Sequence, residues 1–396
     1  MILAALLLPA AVAALVLLVQ RFALPAFLAL LTIAAAYGLA ADMTIQSIGR
    51  AFGLGFSAAM EQTGLLVVAA GLVRALLIQR PLPTPAAVTA GLVAGLGGSA
   101  AGGLALLQPA GLSAPRRAMG LALALLAVHA LVVPSPLAVA ASAVLKADVL
   151  AGFRMTLPVA ALAALGGWLF AMASLPRDPD GGRLSWRWLA VAIPVALLVV
   201  QAVAQMPTEP LGRGGEREFY TGISQPLLLA VLAVGLAVLM SLRWQPAALA
   251  DTSWAPLLLT VGAAGGFARL LDETGVPPLL AEQALDPRLG LLVPFLAAAI
   301  VKTMQGNSLA AVLTASGMVE PMLPALGLDG SAGRTIAAAA AGAGAIAICH
   351  VNDPFFWIAA HMAGMTPARA LRVVSLGSLV VAVLALALLS VLRLVL

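Results

Sequence analysis

Lys302-Thr-Met-Gln-Gly-Asn-Ser308 and His350-Val-Asn-Asp-Pro354 are polar segments set inside long apolar runs. The bilayer core holds no water, so a charged or unwound stretch at that depth must face protein or an aqueous cavity. Gln305, Asn307 and Ser308 supply amide and hydroxyl groups beside Gly306, which lets backbone approach a ligand closely. Lys302 lies about one helical turn before Gln305 and adds a positive charge, with snorkelling toward an interface as its competing reading. His350, Asn352 and Asp353 fall within four residues, and Pro354 frees a backbone carbonyl. His350 and Asp353 are the residues expected to take a coupled proton. Paler copies occur earlier: Gly95-Leu-Gly-Gly-Ser-Ala100, with Gly98 and Ser99 as a hairpin tip, and His129 to Pro136, with His129 as a further protonatable group. Two polar interruptions in each half of the chain point to the binding centre of a secondary transporter.

The surrounding composition agrees. Of 396 residues, 62% are hydrophobic and 9% charged, against about 25% charged in a soluble domain. The chain is an all-α polytopic membrane protein with room for about ten to twelve spans of roughly 20 residues. Its net charge of +5 resides in residues scattered through short loops, which sets topology and gives no reason to expect nucleic acid. The first twenty residues lack a charged leading segment and read as a first span, not a cleaved signal peptide. The single cysteine, Cys349, permits no intramolecular disulfide.

Apolar runs fall at about 2–20, 22–41, 63–79, 84–112, 117–146, 153–175, 187–206, 224–242, 253–271, 289–325, 332–365 and 370–395. Glycine and proline interrupt four of them. The expectation is re-entrant hairpins at about 84–112 and 289–325, and broken helices at about 117–150 and 332–365. Gly64 to Leu77 resembles Leu259 to Leu271, which suggests repeats over 1–175 and 187–396 joined by a linker at 176–186. With the N-terminus outside, eleven arginines lie on the inner side (Arg21, Arg116, Arg117 and Arg243 among them) against nine basic residues outside. The acids Asp178, Asp180 and Asp251 fall on the inner side too. Each half then crosses five times, so the repeats are inverted in topology. Lys146 with Asp148, and Arg269 with Asp272 and Glu273, sit at run ends and read as interface anchors.

Lys302 to Val312 resembles the Arg-x-x-Gln-Gly-Ser segment of the gluconate permease family, and Ala347 to Trp357 resembles its Ser-His-Val-Asn-Asp-x-x-Phe-Trp segment. Ala363 to Ala370 is similar to the short loop that follows. The first half matches more loosely, since Val128 to Pro136 lacks the second His and the glycine of the family's His-Gly-x-x-Pro-Pro-His-Pro-Gly-Pro element. The chain is short for that family, which leaves room for a trimmed peripheral span. The resemblance implies a proton-coupled importer of gluconate or a related small hydroxy-acid in a bacterial inner membrane, with no cofactor. A sodium-coupled carboxylate carrier of the same architecture is the second reading. An intramembrane hydrolase using Ser308 and His350 is a remote third, because Ser308 is not in a Gly-x-Ser-x-Gly elbow. No P-loop and no zinc spacing is present. The oligomeric state, a homo-oligomer included, stays open.

Overall fold

Short polar and proline-bearing punctuation decides where these apolar segments start and stop as helices. The computed structural model describes residues 2–77, 80–111, 114–178, 182–241, 245–250, 252–283 and 285–395. Arg243, Asp180 and Asp251, used in weighing the topology, lie outside the described residues, as do residues 179–181 of the expected linker.

The first part of the chain forms α1 (Ile2–Arg21), α2 (Ala26–Ala40) and the long α3 (Ile45–Leu77). It continues with α4 (Thr84–Gly95), α5 (Ala100–Leu106), α6 (Pro115–Leu131), α7 (Pro136–Val144) and α8 (Val149–Ser174). Then come α9 (Trp186–Ala204), α10 (Gly215–Gly222), α11 (Pro226–Ser241), α12 (Ala255–Glu273) and α13 (Val276–Glu282). The remainder is α14 (Leu292–Gln305), α15 (Ser308–Val319), α16 (Ser331–Gly344), α17 (Pro354–Met362) and α18 (Pro367–Val395). Six of these starts carry a side-chain cap: Thr44, Ser99, Ser135, Asp148, Asn307 and Asp353 each accept from a backbone N–H two or three residues on.

Among the described residues, six helical segments are long and apolar enough to cross a membrane, or seven if the pair α10 and α11, bent by 55°, is one span. This polytopic all-helical architecture was expected. The expected ten to twelve full spans are fewer here, because several runs form shorter helices: α2 has 15 residues, α4 has 12 and α14 has 14. Glycine and polar residues end those helices before a bilayer's thickness is covered. The stretch before residue 63, left outside the expected apolar runs, is helical from Ile45 onward. Its polar Glu61-Gln-Thr63 is absorbed by a π-turn over Met60–Gly64 instead of breaking the helix.

The most enclosed span is α6 with α7, 83% of whose apolar window is buried, against 33–61% in the other spans. It is therefore the centre of the molecule. Around it the packing is reciprocal between early and late elements. Helix α4 packs on α6 as α14 packs on α16, while α5 meets α17 as α15 meets α7. The longest contact joins α3 to α12. It is closest where Gly55 and Gly265 face each other, so that a Cβ on either would overlap the other's carbonyl oxygen.

Candidate functional site

The break between α14 and α15 is built by three residues. Gln305 ends the first helix, Gly306 turns at φ +70°, and Asn307 starts the second by accepting from Leu309 N at 3.0 Å and Ala310 N at 3.1 Å. Glycine is required at 306 twice over: the φ is left-handed, and a Cβ would overlap the Asn352 carbonyl oxygen. The break before α17 closes against it. Asn352 Nδ2 donates to the carbonyls of Thr303 (3.1 Å) and Met304 (2.9 Å), and His350 Nε2 bonds the Thr303 carbonyl at 2.6 Å. These are orphan carbonyls of the last turn of α14, which need such partners.

Lys302 joins the two breaks. Its Nζ donates to Asp353 Oδ2 at 2.6 Å and to the Gly306 carbonyl at 2.8 Å. Both side chains are buried, at 2% and 6% exposure. Asp353 uses its other oxygen to cap α17, accepting from Phe355 N at 2.8 Å. The ammonium is thus tied inside the protein and does not snorkel.

The early half repeats this plan with neutral groups. Gly98 turns at φ +61°, and Ser99 Oγ accepts from Gly102 N at 3.0 Å. His129 Nδ1 lies 3.3 Å from the Gly95 carbonyl and 3.2 Å from Ser135 Oγ. Ser135 Oγ donates to the His129 carbonyl at 2.6 Å and accepts from Leu137 N.

A cavity of about 620 Å³ opens between these elements. It receives Gly98, Ser99, His129, Lys302, Gln305, Gly306, Asn307, Ser308 and Asp353 from the set singled out in the sequence. Asn352 and His350 stand behind it, on the α14 carbonyls. The N-terminal residues of α5, α7, α15 and α17 all line it, so four helix N-termini converge on one space. Two residues read as interface anchors also line the wall, Arg269 and Asp272. Asp272 Oδ1 accepts from Gln305 Nε2 at 2.6 Å, and its Oδ2 pairs with Arg269 at 3.1 Å. They sit at the end of an apolar run because α12 ends beside the cavity. Gln305 lines the cavity, and its Oε1 is buried without a partner. Glu61 and Gln62, outside the expected apolar runs, and Thr63, at the start of the run 63–79, line the same wall from the π-turn of α3.

The description GntP family permease matches residues 183–395, more than half of the chain. The chain belongs to the GntP permease family. A gluconate permease of Pseudomonas aeruginosa is 30% identical over 263 residues, 59% of this chain and 57% of that protein. A low-affinity gluconate transporter of Escherichia coli (strain K12) is 36% identical over 117 residues, 29% of this chain and 26% of that one. A D-serine transporter of Escherichia coli O6:H1 is 28% identical over 339 residues, 76% and 74% of the two chains. The match to the gluconate proteins thus spans about a quarter to somewhat over half of their length. The GntP permease match contains Asp272, the Lys302–Ser308 segment and the His350–Pro354 segment, whereas Glu61, Ser99 and His129 precede it.

Proposed function

We propose that this GntP-family chain is a secondary active importer of a small hydroxy-acid or sugar-acid anion of the gluconate type, coupled to protons and working by alternating access in a bacterial inner membrane. The observation that carries the reading is the convergence of four helix N-termini on one mid-protein cavity, where unpaired N–H groups and dipole ends favour an anion. Ser99, Asn307 and Ser308 add hydroxyl and amide groups to the cavity wall. The gluconate transporters among the relatives and the D-serine transporter are named for small carboxylates bearing hydroxyl or amino groups, which suits a wall holding both donors and acceptors.

The reciprocal packing of α4, α5, α6 and α7 with α14 to α17 supports two inverted repeats, 1–175 and 187–396, each with a re-entrant hairpin and a broken helix. In this reading the N-terminus lies outside. The register differs from the Gly64–Leu77 match with Leu259–Leu271. Glu61-Gln-Thr-Gly64 and Asp272-Glu-Thr-Gly275 both border the cavity region, with Gly98 34 residues after Gly64 and Gly306 31 residues after Gly275. That pairing sets Gly55 opposite Gly266, one residue after the Gly265 that Gly55 touches where α3 and α12 cross.

One proton carried with one monoanion moves no net charge, so the pH difference alone drives uptake, at about 1.4 kcal/mol per unit. His129, His350 and Asp353 are the proton carriers read from the sequence. Radiolabelled gluconate should accumulate in proteoliposomes under an inward proton gradient and leak out on adding a protonophore. Accumulation that needs sodium and ignores the protonophore would assign the sodium-coupled reading instead.

A further inference from the structure

We propose that Glu61 is the carboxylate that carries the coupling proton; this rests on the proton-coupled reading above. Three carboxylates line the cavity: Glu61, Asp272 and Asp353. Asp353 is spent on structure, one oxygen on Lys302 and the other on the first turn of α17. Asp272 is spent too, held by Gln305 and Arg269. Glu61 is exposed to the cavity and makes no hydrogen bond or ion pair among the described residues.

The repeat register says why. Glu61 stands where Asp272 stands in the second half. The two partners of Asp272 are Arg269, three residues earlier, and Gln305, just before the tip glycine. Their counterparts in the first half are Ala58 and Gly97, neither of which has a polar side chain. The same carboxylate position is neutralised in one half and left without partners in the other.

Location and local backbone fit a carrier. Glu61 lies midway along the 33-residue α3, at a depth where an ionisable side chain is costly unless it works. It sits in the π-turn Met60–Gly64, a local widening frequent at functional positions. Of the elements packed on that turn, α5 and α11 carry no titratable side chain, and α12 brings Arg269, Asp272 and Glu273, already paired among themselves. On its own helix Arg50 and Arg74 are about 16 and 20 Å away along the axis. His129, Lys302 and Asp353 face the same cavity from other walls. The step is a plain proton transfer: water on the outer side protonates the carboxylate, the neutral carrier reorients with the anion, and the proton leaves to inner water.

The test is transport of radiolabelled gluconate by the full-length protein in proteoliposomes, with Glu61→Gln as a mimic of the permanently protonated carrier. Wild type should accumulate gluconate about tenfold per unit of inward pH gradient at one proton per anion. Glu61→Gln should fall to a ratio of about one. Its exchange of external labelled for internal unlabelled gluconate should stay within about twofold of wild type and lose its pH dependence. Glu61→Asp, which keeps a protonatable group, should accumulate gluconate. A Gln variant that accumulates as wild type does, or that loses exchange along with accumulation, overturns the assignment, and so does an Asp variant as uncoupled as the Gln variant. Wild type that fails to respond to the pH gradient overturns the coupling reading itself, independently of any variant.

Discussion

The two helix breaks around Gly98 and Gly306 have the same skeleton and different chemistry. In each a glycine turns through a left-handed conformation, the next residue caps the following helix, and a histidine reaches the carbonyl three residues before the glycine. The early break relies on hydroxyls and an imidazole: Ser99, Ser135 and His129. The late break relies on Asn307, Asp353 and the Lys302 ammonium, which ties Gly306 to α17. A charge-assisted bond is roughly twice as strong as a neutral one, and a buried charge left alone is costly. The late break is therefore the stiffer, and the early one is held by bonds that exchange more readily.

The largest expected effect comes from unlocking the late break. Lys302→Met leaves the buried Asp353 without its counter-ion and should destabilise the protein by about 3–5 kcal/mol in a thermal or denaturant scan in detergent. The double variant Lys302→Met with Asp353→Asn keeps a cap and removes the stranded charge, so it should recover most of that loss. A double variant as unstable as the single would show that the ion pair is not what holds the tip. Next come the tip glycines. Gly306→Ala meets a backbone oxygen besides the strain of about 1–2 kcal/mol for a left-handed residue. Gly98→Ala meets only the Leu198 side chain, at 3.0 Å, and should cost about the strain alone. Equal losses at the two sites would remove the stiffness difference. Ser99→Ala and Asn307→Ala should each cost about 1 kcal/mol through lost caps. The smallest effect lies outside both breaks, at the Lys146–Glu320 pair, 2.7 Å apart at the protein surface. The hydrogen bond from Lys146 holds the Glu320 carboxyl below its usual 4.5. Folding therefore favours its ionised form, a contribution present above about pH 4.5 and lost as pH falls through the lowered value. The melting-temperature gap between wild type and Lys146→Ala should be present at pH 7 and close in acid.

Much of this was legible in the sequence. The polar segments 302–308 and 350–354 stood out because charge inside an apolar run has few physical excuses, and both prove to be helix breaks at the cavity region. Two kinds of information were hidden. Hydropathy cannot tell a polar triplet in a loop from one on the wall of an aqueous cavity, so Glu61 and Gln62 fell outside the apolar runs on paper and line the cavity in space. Run ends were equally ambiguous for Arg269 and Asp272, whose partner Gln305 is 33 residues from Asp272 along the chain. Nor does proximity to a motif decide whether a side chain faces ligand or backbone. Asn352 and Asp353 are neighbours, yet one serves the carbonyls of α14 and the other borders the cavity.

The crossing of α3 and α12 carries a last consequence. Where Gly55 meets Gly265, main chain rests on main chain and no rotamer takes part in the fit. On either side of that point the Phe56 and Phe52 rings seat on Gly262 and Gly266, so the seam joining early and late halves combines a backbone contact with two ring-on-glycine contacts. Gly55, Ala59 and Gly265 also line the cavity, so a bulkier residue at this crossing would disturb the joint between the halves and the wall facing the solute together.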